Sequence, residues 1–181
     1  MSLLSVEDTV LFVIDMQGNL YESMQDKAFL LENVQKLIRG VQVFGIPIIV
    51  TEQIPEKLGP TIGPVAGLLP DAPRIPKADF SCCGDEKIMK ALKAVERRQV
   101  LLSGIETHVC VYQTAIDLLG FGYDVHLVAD AVSSRTALNR KIGIRKMRDE
   151  GAHLASTEMV LFELVRTADD PKFREIFKIV K

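Results

Sequence analysis

Short apolar runs, separated by longer segments of helical period, constrain the fold of this chain more than any other feature. Residues 9–14 (TVLFVI), 46–51 (IPIIVT), 100–103 (VLLS), 125–129 (VHLVA) and, more weakly, 152–156 are strand candidates. The first is apolar almost throughout, the pattern of a strand buried on both faces. Residues 74–76 add a short edge strand, because Pro73 and Pro76 are tolerated at an edge and not in the middle of a sheet. Between the first two runs, Phe29, Leu30, Val34, Leu37, Ile38, Val41 and Phe44 recur at intervals of three and four. That spacing makes one face of a helix over 27–44, and Gly45 supplies its left-handed stop. Helical segments over 85–95, 109–119 and 136–150 follow. Residues 158–181 read as one or two docked helices, with Pro171 opening the second. Strand–helix alternation implies parallel pairing through right-handed crossovers. The expected fold is α/β, a three-layer sandwich over residues 1–181 as one domain. Its six-stranded parallel sheet has the Rossmann-like order 3-2-1-4-5-6.

Composition narrows the classes of function. Lys plus Arg is 22 and Asp plus Glu is 24, a formal net charge of −2. That balance lacks the basic excess on which a nucleic-acid or membrane-surface binder depends. The basic stretch 135–149 has no aromatic interleaving and reads as a solvated helix face. Hydrophobic residues at 48% with aromatics at 6% suit an aliphatic buried sheet and exclude disorder. The cysteine count is three, and Cys82 and Cys83 are adjacent, so no disulfide framework is expected. A reducing, cytoplasmic setting follows from that. No apolar run approaches the roughly 18 residues of a membrane span.

Parallel α/β sheets bind ligands beyond the carboxyl ends of their strands, where the strand order reverses. Asp15 follows the first strand, and Cys110 falls in the first turn of the helix after the fourth. With strands one and four adjacent, the two side chains face each other across the crevice. The Pro-rich segment 52–76 delivers Lys77 and is read as a wall of the site. The three residue types complement one another. A helix start favours a thiolate, a carboxylate accepts the thiol proton, and an ammonium offsets the charge. Gln17, Leu20, Tyr21, Gln53, Leu58 and Phe80 are candidates to line the pocket. His108 lies two residues from Cys110, and residues two apart on a helix point in different directions. Cys82 and Cys83 are expected to pack beneath the loop after Lys77. His108, His126 and His153 are the only histidines, and none pair at ligand spacing, so no metal site is expected.

Five segments then line up in order: LFVIDMQ around Asp15, KADFSCC at Lys77, GIETHVCV ending past Cys110, VADAVSSR over 128–135 and STEMVLFEL over 156–164. On these the chain resembles the isochorismatase-like cysteine hydrolase family, which also includes nicotinamidases and N-carbamoylsarcosine amidase. The resemblance covers nearly the whole chain. It implies an Asp15–Lys77–Cys110 triad and a non-proline cis peptide at Ile105–Glu106. It also implies an oxyanion held by backbone N–H groups near Glu106 and Cys110. The implied activity is hydrolysis of a small molecule at a C–N or related acyl bond, without a cofactor, by a homo-oligomer. A second apolar face on the 109–119 helix points the same way on assembly. The nicotinamidase zinc histidines have no counterpart in TEQIPEKLGPT. The alternatives are a vinyl ether hydrolase of the isochorismatase type, which does not need the thiol, and a catalytically silent interaction protein on the same fold.

Overall fold

A computed structural model describes residues 3–181. Six parallel strands form one sheet in the order β3-β2-β1-β4-β5-β6. The chain opens with β1 (Thr9–Ile14), every residue of which is buried, as the two-sided apolar pattern requires. The short helix α1 (Gly18–Glu22) and the long helix α2 (Lys27–Val43) lead to β2 (Ile48–Gln53). β2 starts two residues later than the apolar run suggests. Pro47 has no N–H to give the ladder, although its carbonyl accepts from Leu11.

The Pro-rich segment is more ordered than its composition implies. It contains the single turns α3 (Pro55–Leu58) and α4 (Gly63–Ala66), each with proline in its first turn, and ends in edge strand β3 (Arg74–Lys77). Next come a 3-10 turn at Cys82–Gly84, helix α5 (Glu86–Ala94) and the fully buried β4 (Gln99–Ile105). A π-helical turn, Thr107–Val111, precedes α6 (Tyr112–Gly120). Cys110 therefore lies in that π turn and not in the first turn of an α-helix. β5 (Asp124–Ser133) runs past the expected strand, with a register shift against β4 between Leu102 and Gly104. Then follow α7 (Ala137–Asp149), β6 (His153–Ala155), α8 (Thr157–Val165) and α9 (Phe173–Val180).

Two apolar layers hold the sandwich. Leu11, Val13, Leu101 and Val128 of the sheet pack with Val34, Leu37 and Ile38 of α2 and with Val160, Leu161 and Ile176 of α8 and α9. On the other face Val10, Phe12, Leu102 and Leu127 meet Ile88 and Leu92 of α5, Ala115 and Leu118 of α6 and Met147 of α7. Tyr112 and Leu119 pack half-buried against this second layer, so the outer apolar face expected on α6 is smaller than the sequence suggests. Among the described residues no helix is long and apolar enough to cross a membrane.

Candidate active site

Asp15 sits where β1 ends, in a left-handed conformation (φ 51°) that short polar side chains tolerate better than most. Its N–H still bonds Thr51 O of β2 at 3.2 Å, so the sheet holds its backbone. Gly104, opposite Ile14 in the β1–β4 register, makes this approach possible. A Cβ there would lie 2.0 Å from Ile14 O, and its φ is +109°. Lys77 ends β3 and reaches across β2. Its Nζ is 2.7 Å from Asp15 Oδ2, and neither side chain is exposed. The same ammonium donates to Gln53 Oε1 and, at 3.2 Å each, to the carbonyls of Asp79 and Phe80.

Thr51 Oγ1 donates to Asp15 Oδ1 at 2.7 Å. Asp15 Oδ2 touches Lys77 but accepts no well-aligned hydrogen bond among the described residues. Cys110 is 5% exposed and feels both charges. Burial is the main cause that pushes its thiol up to about 12. Asp15 adds to the rise and Lys77 works against it. The resting group is therefore a thiol at neutral pH, contrary to the thiolate a helix start would favour. Desolvation outweighs the Lys77 ammonium. Lys77 titrates above its ordinary value: burial opposes the ammonium, but Asp15, then Cys82 and Cys110, more than offset it.

The turn that carries Cys110 is anchored at both ends. The Ile105–Glu106 peptide is cis. Glu106 is buried, and its Oε2 accepts from Arg135 N at 3.0 Å and Nε at 3.2 Å. The Glu106 carbonyl accepts from Val109 and Val111. Gly143 of α7 rests against the turn, where a Cβ would meet Thr107 O at 3.0 Å.

The other candidate residues fall into different places. Gln17 is fully buried and spent on backbone: Nε2 donates to Gln53 O and Gly59 O, and Oε1 accepts from Gln53 N at 2.7 Å. Gln53 is likewise occupied by Lys77 and by Ala78 O. Both amides stitch the Pro-rich segment to the sheet, and Gln17 has both its amide donors and its oxygen engaged in doing so. Ile62 N to Met16 O and Thr61 to Glu52 Oε1 continue that seam, which sequence reasoning missed. Tyr21 is buried, with its hydroxyl on Lys27 O, and Leu20 packs half-buried on the core. Leu58 is half-buried in α3. Phe80 is 55% exposed beside Lys77, so it can flank an entrance. His108 Nδ1 pairs with Ser134 Oγ at 3.0 Å, away from the thiol. Cys82 is buried below the site, its Sγ 3.9 Å from Thr51 Oγ1. A cavity of about 370 Å³ lined by Leu92, Arg97, Arg98, Phe121 and Tyr123 lies at the amino ends of β4 and β5, away from this chemistry.

Comparison with known proteins agrees with this frame. Residues 9–159 match the isochorismatase domain. The secreted isochorismatase effector Isc1 of Phytophthora sojae is 37% identical over 177 residues, covering 96% of this chain and 84% of its own. The structure of a MAR1 ribonuclease from Caenorhabditis elegans superposes with a TM-score of 0.93 at 36% identity, covering 99% of this chain and 92% of that one. The ycaC gene product of Escherichia coli, described as an octameric hydrolase of unknown specificity, superposes with a TM-score of 0.92 at 26% identity. The coverage there is 99% and 91%.

Proposed function

We propose that this chain, which belongs to the isochorismatase domain family, is a small-molecule hydrolase that uses Cys110 as its nucleophile on a C–N or related acyl bond. The observation that carries the reading is the buried Asp15–Lys77 pair beside a buried protonated thiol, with one Asp15 oxygen lacking a well-aligned donor. Lys77 holds the carboxylate in place and Thr51 occupies its other oxygen. A thiol at about 12 cannot act as a free thiolate near pH 7. Proton transfer must therefore accompany attack. As the Cys110 sulfur bonds to the acyl carbon, its proton passes to Asp15. The carbonyl π bond opens to an oxyanion, held by backbone N–H groups near Glu106 and Cys110; one such donor is worth about 2.7–4 kcal/mol of barrier. The C–N bond then breaks and the amine leaves with the proton from Asp15. Water then attacks the thioester and gives a proton to Asp15; the C–S bond breaks, the Cys110 sulfur takes that proton back, and the carboxylic acid departs.

The reading extends to setting and assembly. Cys82, Cys83 and Cys110 are all unbridged, which supports a reducing, cytoplasmic location; the Phytophthora relative is named as secreted, so localisation of the tagged full-length chain tests this. The octameric E. coli neighbour supports a homo-oligomer, which light scattering measures directly. The C. elegans neighbour's name puts RNA among the substrates to be tried. Net charge −2, and the turning of Arg135 and Arg140 onto Glu106 and Val132 O of this chain, favour a small substrate over a polymer. The deciding experiment is mass spectrometry after incubation with a panel of small amides and esters. An acyl adduct on Cys110, absent in a folded Cys110→Ala variant that has lost turnover, supports the proposal. Full turnover by Cys110→Ala ends it.

A further inference from the structure

A second cluster of ligating side chains stands at the opposite end of the sheet. Asp124 and His126 are two residues apart on β5, and a strand's period of two puts them on one face. His126 is the register partner of His153 in the parallel β5–β6 pair, so the second imidazole lies beside the first. The ring centroids are 4.9 Å apart. One ligand atom from each of Asp124, His126 and His153 can be chosen so that all lie within 4.8 Å of one another. Asp124 Oδ1 is 3.0 Å from His153 Nε2, and Oδ2 is 3.4 Å from His126 Nε2.

The His126 side chain is only 8% exposed, and its Nε2 has no hydrogen-bond partner among the described residues. A buried polar atom left so costs about 1–3 kcal/mol. The 3.4 Å contact with Asp124 is too poorly aligned to satisfy it. Asp124 and His153 are each about a third exposed, so the cluster opens to solvent on one side. Nitrogen and oxygen ligands about 2.0–2.1 Å from a tetrahedral ion lie about 3.3–3.4 Å apart, so three ligand atoms already within 4.8 Å of one another need only small side-chain shifts to close on one ion. We propose that Asp124, His126 and His153 bind a divalent transition metal ion of the zinc class, with solvent completing its coordination. Two imidazoles with one carboxylate is a donor set that suits such an ion better than calcium or magnesium. The ion would tie the three-residue edge strand β6 to β5, far from Cys110. Spacing along the chain paired none of the three histidines; strand register brings His126 and His153 together, which that spacing does not reveal.

The test uses the full chain and zinc or cobalt(II) alone. Zinc affinity, read by competition with a chromophoric chelator, is expected to be one ion per chain. Losing a ligand should cost more than losing a group that merely orients one, so His153→Ala should weaken binding roughly 100-fold or more. His153 is partly exposed, so this variant should stay folded, and circular dichroism checks it. Zinc should raise the melting temperature of the wild type and not of His153→Ala or Asp124→Asn. Cobalt(II) should give weak visible bands without the strong near-ultraviolet absorption of thiolate ligation, and Cys110→Ala should bind as the wild type does. Equal zinc affinity in wild type and His153→Ala, no binding by the wild type, or a thiolate band would overturn the proposal.

Discussion

Asp15→Asn isolates the charge of the buried pair while nearly preserving its shape. Lys77 Nζ would keep Gln53 Oε1 and the carbonyls of Asp79 and Phe80 but lose the carboxylate it touches. Removing one partner of a buried ion pair typically costs about 3–5 kcal/mol. A second argument caps that figure. The stranded ammonium can shed its proton in the folded state. From an ordinary value of 10.5, that release costs about 5 kcal/mol at pH 7 and about 2 kcal/mol at pH 9. The penalty should therefore be about 3–5 kcal/mol at pH 7 and shrink to about 2 kcal/mol or below by pH 9. Urea unfolding followed by circular dichroism at the two pH values measures it. Replacing Lys77 with Met in the same chain should recover at least half the loss, because no charge is then buried alone. A neutral amide in place of the Asp15 carboxylate cannot take the thiol proton, so on the proposed mechanism turnover is expected to be absent in both. A loss below about 1 kcal/mol at pH 7, or the same loss at both pH values, would refute the view that Lys77 is a buried cation compensated by Asp15.

Three more expectations follow from the same region. Gly104→Ala puts a methyl against Ile14 O and forces an L-residue into φ +109°, so it should cost roughly 3–5 kcal/mol in urea unfolding; under about 1 kcal/mol would contradict the close approach. Thr51→Val removes the hydroxyl that bonds Asp15 Oδ1, and should cost about 1.5–3 kcal/mol and lower kcat; unchanged kcat would argue against a fixed Asp15. Burial raises Cys82 from 9.0 to about 11 and Cys110 to about 12. The folded chain thus keeps protons that the unfolded chain releases. Their contribution is full below pH 9 and is lost as pH rises toward 11 and 12, at up to about 1.4 kcal/mol per pH unit per thiol. Combined Cys82→Ala and Cys110→Ala substitutions should flatten the decline in stability between about pH 8 and 11; an unaltered slope would count against protonated buried thiols.

Particular residues explain what could be read from the chain and what could not. The strands announce themselves because a sheet covered on both faces needs nearly unbroken aliphatic runs, and β1 and β4 are buried throughout. Order then puts the ends of β1 and β4 side by side, which is why Asp15 and the Cys110 turn could be placed from the chain alone. The resemblance, more than composition, pointed to Lys77. The extension of β5 escaped notice because Asp130 interrupts the apolar run and the strand crosses a register shift. Gln17 and Gln53 look like substrate-reading amides, yet Gln17 is spent on backbone partners and Gln53 on Lys77 and Ala78 O, which chain spacing cannot reveal. His126 and His153 failed the spacing rule for the same reason, since parallel register joins residues from distant segments.

The thiol shows how such failures follow from competing energies. The Lys77 ammonium works to lower the Cys110 thiol. It loses to burial, because Cys110 and Cys82 lie in the apolar layer with Ile14, Val111 and Ala115. The resting crevice then has no net charge: Asp15 and Lys77 cancel, and the thiol is neutral. Lys77 is also saturated, with three neutral acceptors besides Asp15, so it has no free donor with which to hold an anionic substrate. Its service to the site is to hold Asp15 in place; on the mechanism proposed above it is Asp15, rather than a preformed thiolate, that supplies the basicity for attack.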